Sequence, residues 1–313
     1  QSGGNTNYIV RGGARRGVRF SKVVSYGNAA DISESDLLEY LAADTDTGMI
    51  LVYIEGVKDG WRFRQVIKEA AKVKPVIVLK GGITEPGVRA AASHTGALAG
   101  SERVWDGFLH QVGAVRVYTL EELIDMAVTF SYLSRPQERK VGILGIGGGA
   151  TVLATDDCTN AGLVVPHFPQ QFRRKLSNLL EGEAGTILNN PIDLAAEAWE
   201  LGFYNILKLL ANSEEVDLSM VHFPLGLVVS PPSQHNQHNK IWDSLVEDVI
   251  KAHKEFAKSL ILVIHLPASA EDYQWMLEAQ RKCYEAGIPV YHSISSAAKA
   301  VDRFLRYHEN RLA

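Results

Sequence analysis

Runs of apolar, largely β-branched residues recur along the 313-residue chain and alternate with amphipathic stretches. VRFSKVV (18–24), GMILVYI (48–54), KPVIVLK (74–80), KVGILGI (140–146), VDLSMVHF (216–223) and SLILVIH (259–265) predict buried parallel strands. Strands covered on both faces read as continuous apolar runs rather than as strict alternation. Between them, ESDLLEYLAAD, GWRFRQVIKEAAK, SLVEDVIKAHKEFAK and AEDYQWMLEAQRKCYEAG carry the period of amphipathic helices. Strand, helix and strand in this rhythm predict an α/β fold, doubly wound, with mainly parallel sheets. The polar, proline-containing LSRPQERK (133–140) sets the expected boundary between a domain of residues 1–136 and a domain of residues 137–313. Chain length agrees, at about 150 residues per domain.

The two halves read as copies. MILVYIEG, ending at Gly56, parallels SMVHFPLG, ending at Gly226; EAAKVKPVIVL parallels EFAKSLILVIH; GAVRVYTLEELIDMAV parallels GIPVYHSISSAAKAV. Spacing differs at one place. The first half is longer by about twelve residues between its last two strands, and loops that grow on a fixed scaffold commonly carry function. That loop contains AASHTGALAG, with His94 among small residues that leave the ring accessible. The second half has no matching histidine, and Leu225 stands where the first has Glu55.

Composition narrows the options. Hydrophobic content of 46% and charged content of 22% are those of an ordinary globular protein. A net charge of −4 gives no basic footprint for nucleic acid, and no apolar run approaches the ~18 residues of a membrane span. Two distant cysteines, Cys158 and Cys283, argue against a disulfide framework or structural zinc and suggest a cytoplasmic setting. Arg11, Arg15 and Arg16 read as a solvated helix face, and GGARRG weakens the first helix. QSGG at the start reads as a turn whose preceding strand is absent, which suggests N-terminal truncation.

Two features carry candidate chemistry. LGIGGGATVLATDD places Gly147, Gly148 and Gly149 between a strand and a helix, where amides and the helix dipole favour phosphate. Ser2, Gly3 and Gly4 form the equivalent turn of the first half. The second turn also fits G-x-G-x-x-A through Gly145, Gly147 and Ala150, so a dinucleotide-binding oxidoreductase is an alternative; the acid it needs about 20 residues on is missing from LVVPHF. Glu55 and the His94 loop each come directly after a strand, at the edge where open α/β sheets gather their sites. A carboxylate accepting from Nδ1–H would leave Nε2 as nucleophile. His235 and His238 in QHNQHN read as a solvated loop, so no metal is expected, and NNPIDL reads as a turn in which Asp193 can cap the next segment. Asn7 and Asn28, near the expected rim, are candidates for substrate contact.

QSGG, FSKVVSYGNAADI, DLLEYLAADTDT, VYIEGVKDG, KPVIVLKGG, AAASHTGALAGSERVWDGF, GGGATVLATDDC, NNPIDL and GIPVYHSISSAAKAVDRF together resemble the NDP-forming acyl-CoA synthetases, relatives of succinyl-CoA ligase. The resemblance is collinear over essentially the whole chain. It implies two tandem flavodoxin-like domains, without the family's CoA-binding Rossmann domain and ATP-grasp domain or subunit, which become the expected partners of a ligase that is incomplete in this chain. It also implies an oligomer, and CoA, phosphate and Mg-nucleotide as substrates with no tightly bound cofactor. His94 would be the residue phosphorylated in turnover, Glu55 would hold its ring, and Ser2, Gly3, Gly4 and Gly147, Gly148, Gly149 would bind phosphate. A related acetyltransferase-type class uses these domains without the histidine, so a non-catalytic regulatory or assembly module is the other alternative.

Overall fold

A computed structural model of the protein describes residues 1–87, 89, 101–179, 187–194, 202–223, 235–267 and 269–311. His94 and Leu225 lie outside the described residues. Five of the six expected strands form: β1 (Ile50–Ile54), β2 (Val76–Lys80), β4 (Val141–Gly145), β7 (Leu218–Phe223) and β8 (Ser259–Ile264). The chain divides into two units, one of Gln1–Phe130 with Arg306–Ala313 and one of Ser131–Leu305.

In the first unit the described sheet runs β1-β2-β3, all parallel, with β3 at Val115–Val117 and Ile54 beside Lys80 in register. Its helices are α1 (Gly3–Arg15), α2 (Glu34–Ala43), α3 (Gly60–Val73), α4 (Glu102–Val112) and α5 (Leu120–Tyr132). Each starts where chemistry allows. Ser33 and Asp36 close a capping box on α2, and Asp59 accepts from the Arg62 N–H at the start of α3. Phe63, Ile67 and Ala70 of α3 and Leu109 and Val112 of α4 bury the apolar face of β1 and β2. Near the end of the chain, Arg311 donates to the carbonyls of Ala71 and Lys72, and Tyr307 meets Phe130 edge-on at 5.1 Å.

The second unit contains β4, α6 (Gly148–Ala161), α7 (Gln170–Leu179), β5 (Ile187–Leu188), β6 (Ile192–Asp193), α8 (Tyr204–Ala211) and β7. Beyond these come α9 (His235–Glu255), β8, α10 (Ala270–Glu285), β9 (Val290–Tyr291) and α11 (Ile294–Asn310), whose end belongs to the first unit. Its sheet order is β5-β6-β4-β7-β8-β9, parallel except for β5 against β6. The repeat seen in the sequence is thus a repeat of topology, because β7-β8-β9 succeed one another as β1-β2-β3 do. Cys158 and Cys283 are both fully buried here, with burial pushing each thiol up to about 12.

Four local expectations are corrected. Residues 18–24 form no strand: Ser21 Oγ and Thr47 Oγ1 meet at 3.1 Å, Lys22 pairs with Asp44 at 2.8 Å, and Val23 and Val24 are half exposed. A cavity of about 300 Å³ separates this segment from β1, lined by Val18, Phe20 and Val24 and by Ile50 and Val52. Apolar content predicts burial, but a strand also needs a ladder partner. The glycines of α1 have a packing reason: a Cβ on Gly12 would stand 2.7 Å from Ile124 Cδ1, and one on Gly13 2.8 Å from Phe20 Cζ. Arg16 is no solvated residue but is buried against Asp125 at 2.6 Å. Residues 235–239 open α9 instead of forming a loop, since Trp242, Leu245, Val246 and Val249 continue one helical face.

NNPIDL is likewise more than a turn. Asn190, buried, accepts from Ile143 N–H at 3.0 Å and donates to Val141 O at 2.8 Å, standing in for ladder bonds along β4. Ile192 and Asp193 then pair with Leu144 and Gly145.

Candidate functional site

In the first unit β1 delivers Glu55 directly beyond its C-terminal end. Glu55 Oε1 accepts from the Tyr53 hydroxyl at 2.9 Å, and Asn5, on the first turn of α1, hydrogen-bonds the same tyrosine oxygen. Burial, then the bond to Glu55, pushes the Tyr53 hydroxyl up to about 12. Gln1 ties the same rim from the other side: its Oε1 accepts from Glu55 N–H and from Gly56 N–H, the latter at 3.1 Å, and its amino group donates to Tyr53 O at 2.9 Å. The start of α1 is thereby held against the acid. Glu55 Oε2 is buried and has no partner among the described residues, and an orphaned buried acceptor is costly enough to call for one.

Ser2 is the N-cap of α1, its Oγ accepting from Asn5 N–H at 3.3 Å, and Gly3 and Gly4 are exposed on the first turn. Glycine there keeps the amides open to a ligand. Asn7 lies exposed one turn further along α1, and Asn28 lies exposed in the turn around Gly27. So the structure joins Glu55 with Ser2, Gly3 and Gly4, and does not bring Asn7 and Asn28 into that group.

Lys80 was not foreseen. It ends β2, is only 2% exposed, and donates to Glu55 O at 2.7 Å and to Gly81 O. Trp105 lies 5.4 Å from its ammonium. Burial, with Arg116 nearby, lowers Lys80 to about 8. A lysine inside an apolar run is the signal that could have found it.

In the second unit Gly147 adopts φ +105°, a conformation open to glycine, and starts α6 without a side-chain cap of its own. Its N–H donates to Asp193 Oδ1 at 2.7 Å. Gly148 and Gly149 are exposed on the first turn, where helix amides project outward. Asp193 is 6% exposed; burial raises its carboxyl and the Gly147 bond opposes this. NNPIDL therefore caps the glycine turn across the sheet rather than the segment next to it in sequence. Among the described residues no group of three or more potential ligands could hold a metal, and no helix is long and apolar enough to cross a membrane.

His222 lies beside Gly145 in register, fully buried, with neither ring nitrogen partnered among the described residues. Burial lowers it to about 4, with His265 adding to the effect. A base buried neutral must be charged on acid unfolding, so the unfolded chain binds the extra proton between the two pKa values. The second unit is therefore expected to lose stability as pH falls from about 6.5 towards about 4. Melting temperature against pH should flatten over that window in His222→Gln; an unchanged slope would show that the imidazole contributes nothing to it.

Comparison with known proteins agrees with this arrangement. Residues 1–130 match the model of the succinyl-CoA ligase like flavodoxin domain. The chain is 33% identical over 307 residues to acetate–CoA ligase [ADP-forming] I of Archaeoglobus fulgidus, covering 98% of this chain and 41% of that protein. It is 35% identical over 291 residues to acetate–CoA ligase [ADP-forming] I subunit alpha of Pyrococcus furiosus, covering 93% of this chain and 59% of that one. Among solved structures, the dinucleotide forming acetyl-coenzyme A synthetase 1 of Ca. Korarchaeum cryptofilum, in complex with phosphate and ADP, superimposes with a TM-score of 0.79. That match is 26% identical and covers all of this chain and 64% of the other. Over the part of those proteins that it spans, the chain belongs to the ADP-forming acyl-CoA synthetases of the succinyl-CoA ligase superfamily.

Proposed function

We propose that the chain is the phosphohistidine-bearing part of an ADP-forming acid–CoA ligase. It interconverts acyl-CoA, NDP and phosphate with acid, CoA and NTP, together with an ATP-grasp partner and a CoA-binding domain. Phosphate oxygen attacks the thioester carbonyl, and CoA leaves as the thiol, giving acyl phosphate. His94 Nε2 then attacks phosphorus and the carboxylate of the acid leaves. A terminal oxygen of NDP finally takes the phosphoryl group from the ring.

The chain's own groups suit these steps. Phosphoryl transfer asks for positioning and neutralisation of charge, which helix N-termini supply. Ser2, Gly3 and Gly4 on α1 and Gly147, Gly148 and Gly149 on α6 are the phosphate-binding turns of this reading. Glu55 accepts from His94 Nδ1–H, fixing the tautomer and steadying the positive ring once Nε2 is substituted. The observation that carries the reading is the buried, unpartnered Glu55 Oε2 beside the start of α1. The SHTG loop, the glycine turns and the relatives' names support it further.

Intact-mass analysis tests it. Incubated with a purified ATP-grasp partner, ATP and Mg²⁺, the chain is expected to gain one phosphoryl group that is lost in mild acid, as a phosphoramidate is. No gain, or an acid-stable one, overturns the reading.

A further inference from the structure

We propose that the start of α6 and the row Asp193–Gly145–His222 beside it form an oxyanion site in which binding of a phosphate-like anion is accompanied by uptake of one proton onto the Asp193–His222 pair. This rests on Gly147, Gly148 and Gly149 being a phosphate turn, and goes further by naming the groups that answer the anion's charge.

The row is set by strand register. Gly145 of β4 pairs with Asp193 of β6 on one side and with His222 of β7 on the other. Paired positions of parallel strands put their side chains on one face. Gly145 contributes none, and the imidazole fills the gap: a Cβ at residue 145 would stand 1.9 Å from His222 Nε2. The ring thus lies over Gly145, towards Asp193. It is fully buried, and both of its nitrogens lack partners among the described residues. A neutral imidazole offers one donor and one acceptor, so two hydrogen-bonding positions there await a polar group.

Asp193 sets the electrostatic problem. Oδ1 holds the Gly147 amide, and a Cβ on Gly148 would lie 3.3 Å from Oδ2. The positive end of α6 therefore already faces one carboxylate. An oxyanion on the amides of Gly148 and Gly149 would bring a second negative charge beside it, in a setting where like charges do not both persist. A proton resolves the conflict, drawn from solvent and shared by the pair. The titratable groups around His222 are Asp193 from β6 and His265 beyond β8. His265 meets the His222 ring edge-on at 6.0 Å, and its own Nε2 is buried and unpartnered among the described residues. Two imidazolium rings so close repel, so one proton is taken up, not two. Burial moves Asp193 upward and His222 downward, bringing their proton affinities towards each other as sharing requires.

Sulfate tests this, because it has the shape of phosphate and no proton to lose in the range used. Its affinity for the chain should rise roughly tenfold per pH unit lowered around neutrality, and calorimetry in two buffers of different ionisation heat should count about one proton taken up per anion. Asp193→Asn keeps an oxygen for the Gly147 amide and removes the charge; it should bind sulfate independently of pH, with no proton uptake. His222→Gln leaves Asp193 alone to take the proton and should move the transition to lower pH. If sulfate binds wild type and both variants alike at every pH, the coupling is wrong while the glycine turn stands. If no protein binds sulfate, both the turn and the coupling fall.

Discussion

His94→Ala is expected to abolish acid–CoA ligase turnover in the assembled enzyme, a loss of at least about 10⁴-fold, because the phosphoryl group then has no covalent carrier. Glu55→Gln is expected to leave a smaller defect, roughly a hundredfold, about 2.7 kcal/mol in the barrier. The difference comes from the structure around Glu55. A glutamine keeps an oxygen for the Tyr53 hydroxyl, so the rim keeps its shape. It lacks the charge that steadies a substituted ring. Single-turnover kinetics with rapid quench, tracking phosphohistidine directly, separates the two variants. Equal loss in both would mean that Glu55 is required for more than orientation; no loss in Glu55→Gln would mean that its free oxygen serves another partner.

Arg16→Ala is expected to destabilise the first unit by about 3–5 kcal/mol, lowering its melting temperature by roughly 10 °C. The Arg16–Asp125 pair is nearly dry, with side chains 9% and 8% exposed and 2.6 Å between charged atoms. Burial raises the Asp125 carboxyl even though Arg16 opposes the shift, so desolvation already outruns pairing. Removing the guanidinium strands an acid in the interior between α1 and α5. Replacing both partners, as Arg16→Met with Asp125→Leu, should restore most of the loss, because an apolar pair of similar volume has no desolvation to offset. Calorimetric unfolding of the two variants checks this; a double variant as unstable as the single one would place the cost in packing rather than in charge.

These two cases mark what a reader of the sequence can and cannot see. The parallel strands were legible because burial on both faces leaves unbroken apolar runs, as in VIVLK and SLILVI. Glu55 was legible because it comes directly after such a run. Asp193 was legible only as a cap, and its target was missed, since Gly147 lies 46 residues away and only β6 pairing with β4 joins them. Lys80, Arg16 and His222 stayed hidden for the same reason. Each is a polar residue buried through contacts distant in sequence, which local periodicity does not record. The strand expected at 18–24 failed for lack of a neighbour, which composition does not encode.

Arg311 has a practical consequence for anyone dissecting this protein. Its guanidinium closes the last carbonyls of α3 from the far end of the polypeptide. A fragment stopped at residue 130, where the matched family model also ends, would shed that clasp along with Tyr307. The first unit is thus discontinuous in sequence, and no one scission of the backbone releases it whole.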